Sequence, residues 1–220
     1  MMTLQKTIAI SLAAAAVTSF AVPAQAVTTN GFANGGFETV GVTTPALSWL
    51  AAAAGYTLST DARTGSFSAQ LMSPAFSAAV MLQNSVEQGG LPSLIAGDTP
   101  TFSFWAKGTA GGTGNVLFAL RYLDGVGNIK ADSMNQFFQG SINADTWTQI
   151  TYNLGAVPVG AVAAFVEFSQ GIGPIDAFFP AGKVLIDDLH LSVVPEPGSY
   201  AMLMAGLAGI GFMVRRRRAV

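Results

Sequence analysis

Val116-Leu117-Phe118-Ala119-Leu120-Arg121-Tyr122-Leu123 is followed by Asp124-Gly125-Val126-Gly127-Asn128 and then by Ile129 to Met134. The reading of this stretch decides the fold. Successive side chains of an extended chain point to opposite faces. Val116, Phe118, Leu120 and Tyr122 therefore share one side, and Leu117, Ala119, Arg121 and Leu123 share the other. Asp124-Gly125 and Gly127-Asn128 tolerate positive φ and supply hairpin chemistry. Ile129 to Met134 is predicted to return as the partner strand.

The same period of two extends outward on both sides. Upstream, Phe102 and Phe104 oppose Thr101, Ser103 and Trp105 in the stretch Thr101 to Lys107, and a glycine-rich turn from Ala110 to Gly114 joins it to the hairpin. In Ser66 to Met72, Phe67, Ala69 and Leu71 alternate with Ser66, Ser68 and Gln70, the pattern of a strand buried on one face. Tyr56 to Ser59, Ala78 to Val86, Trp147 to Leu154, Ala161 to Ser169 and Lys183 to Val193 complete the predicted strands. Helical periodicity is weak throughout, so helix is expected only as short decorations at Pro45 to Ala54 and around Ser93. Short strands at regular spacing with turn signals between them predict an all-β sandwich or barrel.

Composition narrows the chemistry. The 220-residue chain has no cysteine, which excludes disulfides and thiolate metal sites. Setting aside Lys6 and the terminal arginines leaves five basic residues, and setting aside Glu196 leaves eleven acidic ones, so the central region carries about −6. It has no basic patch for nucleic acid. His190 is the only histidine, no G-x-S-x-G element occurs, and the spacing of Asp124, Asp132, Asp145, Glu167 and Asp176 singles out no carboxylate pair. Enzyme activity is not expected.

Both ends carry targeting signals. Lys6, the apolar run Ile8 to Val22 and the small-x-small Ala24-Gln25-Ala26 predict a signal peptide helix over residues 1–26, cut after Ala26; an uncleaved anchor is the alternative. At the other end Pro195-Glu196-Pro197 precedes an uncharged run from Tyr200 to Val214, closed by Arg215, Arg216, Arg217 and Arg218. A bilayer span needs about 20 apolar residues, but flanking residues and snorkelling arginines extend a shorter one. A transmembrane helix over 200–214 is expected, with its arginines on the cytoplasmic side.

This order of parts resembles the PEP-CTERM sorting tail of Gram-negative bacteria, over residues 195–220. The resemblance implies a transient stay in the inner membrane, where an exosortase cuts near Pro195-Glu196-Pro197 and releases the protein toward the cell surface or extracellular matrix. Between the two signals, residues 27–194 are expected to form one domain. Asn34-Gly35-Gly36-Phe37-Glu38, Trp147-Thr148-Gln149 and Ile186-Asp187-Asp188-Leu189 are similar to motifs of the carbohydrate-binding, galactose-binding-like jelly-roll superfamily. That resemblance implies an antiparallel two-sheet jelly-roll sandwich whose first and last strands lie close together. It also implies a structural calcium with Glu38 and Asp187 as ligands; the other reading of these acids is as solvated carboxylates or acceptors of backbone donors. Asp188 is expected to point away from Asp187, as in a regular strand.

For a ligand, aromatic faces with polar neighbours are the relevant chemistry. Trp49, Trp105, Arg121 and Tyr122 are the candidate binding residues, with Tyr56, Trp147 and Gln149 as further company; aromatic rings of a sandwich also fill its core. Trp49, in a loop, is expected to be exposed. The sequence thus predicts a non-catalytic protein of the cell surface or biofilm matrix, with exosortase as processing partner and an exopolysaccharide as ligand. A purely structural matrix protein without a small ligand is the first alternative and a polysaccharide-active enzyme the second.

Overall fold

A computed structural model describes residues 32–84, 96–111, 114–171, 173, 182–194, 204, 206–208 and 210. Its strands are β1 (Leu50–Ala51), β2 (Tyr56–Ser59), β3 (Ser68–Leu71), β4 (Ala79–Asn84), β5 (Thr99–Gly108), β6 (Val116–Leu123), β7 (Ile129–Asp132), β8 (Gln136–Phe137), β9 (Thr148–Asn153), β10 (Ala163–Gln170) and β11 (Val184–Val194). They form two sheets. One has the order β1-β4-β10-β6-β7, with β8 also pairing β6, and the other has the order β2-β3-β11-β5-β9. The pairings are antiparallel. The architecture is an all-β jelly-roll sandwich.

The predicted hairpin forms as its turn chemistry requires. Asp124 Oδ1 accepts the amides of Val126 and Asn128, the Asp124 amide donates to the Asn128 carbonyl at 2.9 Å, and Gly127 takes a φ of 91°. An aspartate that satisfies its own turn in this way, followed by a residue free to adopt positive φ, fixes the reversal. β7 then pairs with β6 through Arg121–Asp132 and Tyr122–Ala131.

Alternation places a layer of phenylalanines between the sheets. Phe102 and Phe104 from β5 meet Phe118 from β6 and Phe168 from β10, and Phe138 closes the layer; all five are fully buried or nearly so. The rings meet mostly edge to face, with centroids 4.9 Å apart for Phe104–Phe168 and 5.1 Å for Phe102–Phe118 and Phe104–Phe138. Edge-to-face contact sets the positive rim of one ring against the negative face of the next, adding about 0.5–1.5 kcal/mol per pair to the burial itself.

The helix expected at Pro45 to Ala54 does not form. Ala46 and Trp49 are buried instead, Leu50 and Ala51 pair with Leu82 and Met81, and the Ala52 amide continues the ladder to the Val80 carbonyl. Burying Trp49 and joining a sheet edge outweighs the helix preference of an alanine run. The expected helix around Ser93 and the signal peptide helix lie outside the described residues. Of the expected membrane helix, residues 204, 206–208 and 210 are described and are helical. No helix among the described residues is long and apolar enough to cross a membrane.

Replacing Phe104 by alanine removes a ring in contact with four others. The expected cost is about 3–5 kcal/mol, read as a lower midpoint in urea unfolding. A shift worth less than about 1 kcal/mol would contradict the packing described.

Candidate functional site

The two terminal motifs of the domain meet in space. The Leu189 amide of β11 donates to the Gly35 carbonyl at 3.0 Å. Around Gly36, the position where a Cβ would sit is 3.7 Å from Asp188 Oδ1, 3.9 Å from Asp187 Oδ1 and 4.0 Å from Glu38 Cγ. Three carboxylate side chains therefore border one glycine. What they hold is the loop before β3. Glu38 Oε2 accepts the Ser66 amide (2.8 Å) and Oε1 the Phe67 amide (3.0 Å). Asp187 Oδ2 accepts the amides of Arg63 (2.9 Å) and Thr64 (3.3 Å), and Oδ1 accepts that of Asp188 (2.7 Å). Gly65, at φ 67°, has no room for a Cβ against the Glu38 carboxylate, so this turn of the loop requires glycine.

Asp188 departs from the expectation of a regular strand. The register of β11 against β5 shifts between Asp187 and His190, and Asp188 adopts a φ of 49°. A bulge adds a residue and re-aims the side chains around it, so Asp188 joins Asp187 on the same loop. Its Oδ2 lies 2.6 Å from Arg63 Nη1 and its Oδ1 accepts the Thr64 hydroxyl at 2.6 Å. Burial pushes the Asp187 carboxyl up from its ordinary 3.8 to about 6; the backbone amides of Arg63, Asp188 and Thr64 oppose the rise, and the charge of Asp188 adds to it. Asp187 has no solvent exposure.

The donor set bears on calcium as follows. Its chemistry is oxygen only, and three carboxylates against one guanidinium leave a local charge of −2. Five amides already occupy the oxygens of Glu38 and Asp187. About four acceptor sites per carboxylate leave some free. Among the described residues no group of three or more His, Cys, Asp or Glu is placed to hold a metal by itself. A cation here would draw the remainder of its six to eight ligands from backbone carbonyls or water.

The aromatic candidates separate. Trp49 is 0% exposed: Phe37 packs on it at 5.2 Å, Phe32 at 6.4 Å, and its Nε1 donates to the Asn34 carbonyl. The expectation of an exposed loop tryptophan is therefore corrected, because the opening motif folds back and covers it. Tyr122 is 4% exposed and faces the interior of the sandwich. Trp105 and Arg121 both point outward, but β5 and β6 belong to different sheets, so they lie on opposite exterior faces. Arg121 holds Asp132 (3.0 Å) and Glu167 (3.4 Å) and lies 5.5 Å from the centre of the Phe165 ring.

Trp105 has company that sequence spacing alone did not reveal. The Arg63 guanidinium lies 3.8 Å over its ring, and Gln149 is its partner on β9. Two positions further along each strand, Trp147 meets Lys107, whose Nζ is 5.2 Å from the indole centre and 2.6 Å from Asp61 Oδ1. Both indoles are half-buried, while Gln149, Thr151 and Asn153 beside them are exposed. Because β9 is the edge of its sheet, this strip lies along a margin of the sandwich. Arg63 and Thr64 went unread as site residues; their signal was the Thr64-Gly65 turn immediately before an alternating strand.

Comparison with known proteins adds two findings. Residues 193–218 match the PEP-CTERM protein-sorting motif, beginning where β11 ends at Val194. The motif marks an exported protein that an exosortase processes. Among solved structures, the chain is similar to the enzymatically active domain of tailspike protein 4 of bacteriophage CBA120, at 22% identity and TM-score 0.56, covering 75% of this chain and 21% of that one. This chain thus matches only about a fifth of the tailspike chain. It is also similar to the Stig cyclase Fisc from Fischerella sp. TAU, at 15% identity and TM-score 0.52, covering 78% and 99% of the two chains. A third likeness is to the carbohydrate-binding module TmCBM61 in complex with β-1,4-galactotriose, at 19% identity and TM-score 0.45, covering 74% and 97%. These are likenesses of fold. The search of curated proteins finds no match.

Proposed function

We propose that this is a glycan-binding, non-catalytic protein of the cell surface or extracellular matrix of a Gram-negative bacterium. Residues 1–26 act as a cleaved leader, 27–194 as the working domain, and 195–220 as the sorting tail, held in the inner membrane by Arg215 to Arg218 until an exosortase cuts. The observation that carries the binding role is the strip of Trp105, Trp147, Gln149 and Thr151 on one sheet margin. Indole faces stack on the apolar face of a sugar ring, and amide and hydroxyl groups beside them meet its hydroxyls. Arg63 and Lys107 hold the indoles in place by cation–π contact. The opposite face, with Arg121, holds its acids in ion pairs.

Calcium belongs to the same reading as a brace and not as a reagent. Glu38 and Asp187 would hold it through the acceptor sites their amide bonds leave free, tying the opening motif to β11.

Replacing Trp147 by alanine should weaken retention on exopolysaccharide from the producing cells about tenfold, with the far-ultraviolet spectrum unchanged; equal retention would leave a structural matrix role. Replacing Pro195-Glu196-Pro197 by alanines should leave uncut protein in the inner-membrane fraction, whereas normal release would remove the sorting role. Treating the protein with a calcium chelator should lower its unfolding midpoint, and an unmoved midpoint would dismiss the brace.

A further inference from the structure

The connection from β9 to β10 runs through Gly155-Ala156-Val157-Pro158-Val159-Gly160-Ala161-Val162, eight residues without a charge or a hydrogen-bonding side chain. Loops of soluble domains are ordinarily polar. Here Val159 is 88% exposed and Val162 60%. The β6–β7 hairpin sets Val126, 84% exposed, and Ile129, 57% exposed, at the same end. A Cβ on Gly125 would lie 3.9 Å from Val162 Cγ2, and the Val162 amide donates to the Leu123 carbonyl at 2.9 Å. Four branched apolar side chains thus stand out together from one end of the sandwich. Contiguous exposed apolar surface marks a contact site.

This is the end from which the tail leaves. Val194, the last residue of β11, pairs with Thr99, the first of β5. On the other side of that stretch, the Val157 amide donates to the Asp98 carbonyl at 2.8 Å and the Gly97 amide to the Val157 carbonyl at 2.9 Å. The valine loop is therefore two strand spacings, about 10 Å, from the root of the tail. Five residues, Pro195 to Ser199, separate Val194 from the uncharged run that begins at Tyr200. They bridge at most about 20 Å. Phe76, 74% exposed, lies at the far end, in the connection after β3, whose last residue Leu71 pairs with Val184 at the start of β11.

The chemistry of the tips fits lipid. Protein interfaces concentrate their energy in Trp, Tyr and Arg seated in fitted pockets, and valine is under-represented there; acyl chains ask only for apolar surface. Entry into a poorly hydrated layer also requires backbone groups that are satisfied internally. The amides of Val126 and Asn128 go to Asp124 Oδ1, that of Gly127 to the Asp124 carbonyl and that of Ala161 to the Pro158 carbonyl. Those of Val157 and Val162 go to the carbonyls named above, and Pro158 has none. Lys130 stands beside the tips, its Cε 3.8 Å from where a Cβ on Gly160 would lie and its Nζ 3.7 Å from Asp124 Oδ2. Its stem can carry the ammonium to headgroup phosphate.

We infer that Val126, Ile129, Val159 and Val162 form a lipid-contact surface, seated at the headgroup–acyl boundary of the bilayer that holds the tail. The contact stands the sandwich on its end against the membrane. Four such side chains hold only weakly and reversibly by themselves, so cutting the tail still frees the domain. The inference rests on the reading of the tail as membrane-held.

The chain has no cysteine, so a single introduced one carries a fluorophore to a chosen place. Full-length Val159→Cys, Phe76→Cys and Leu207→Cys are labelled and reconstituted in vesicles of phosphatidylethanolamine and phosphatidylglycerol with brominated acyl chains. Quenching at position 159 should exceed that at position 76 at least threefold. Adding Val126→Asp and Val162→Asp should cut quenching at 159 at least threefold, with quenching at 207 and the unfolding midpoint unchanged. Equal quenching at 159 and 76, or quenching at 159 that survives the aspartates, would overturn the inference. So would a label at 159 that is shielded from aqueous iodide yet untouched by bromolipid, because a protein, a second copy or another chain, would then cover this end. Quenching at 207 alone removes the lipid surface and leaves the membrane-held tail standing; quenching at neither position removes both.

Discussion

The constraint on which this molecule depends is the alternation of side chains along β5 and β6. In a pleated strand each residue that enters the core sends its neighbours outward. The same backbone that packs Phe104 against Phe118 and Phe168 therefore turns Trp105 to solvent and Arg121 to the opposite exterior. Core and candidate site are one pattern read from two sides. A slip of one residue in β5 would exchange Phe102 and Phe104 for Thr101, Ser103 and Trp105 in the layer, so the position of the indole strip is guarded by the core.

The strands were legible for this reason. Thr101 to Lys107, Val116 to Leu123 and Ile129 to Met134 carry period-two signals and marked turns, and each becomes a strand within a few residues of its expected ends. What was illegible depended on contacts between distant residues. Trp49 sits in a loop by local criteria, and only the return of Phe32, Asn34 and Phe37 over it makes it core. Asp188 follows Asp187 directly, so a regular strand would part them; the bulge that unites them on one loop leaves no composition signal. The pairing of Arg63 with Asp188 spans 125 positions, a separation at which no local pattern speaks.

Sorting tail and sandwich differ in how they can be recognised. The tail is an order of short parts, Pro195-Glu196-Pro197, apolar run and arginines, and the order alone identifies it. The domain shares its architecture with proteins as different as a phage tailspike and a cyclase. A fold shared that widely says little about chemistry. The weight of the functional reading accordingly falls on Trp105 and Trp147, and not on the sandwich itself.

The placement of β11 has a mechanical consequence. This eleven-residue strand lies between β3 and β5, is paired with β5 as far as Val194, and leads directly into the tail. Tension applied through the tail runs parallel to the strand and must shear a row of ladder bonds together, where an edge strand pulled crosswise would unzip them one by one. A load entering through the chain beyond Val194 would therefore meet many ladder bonds at once.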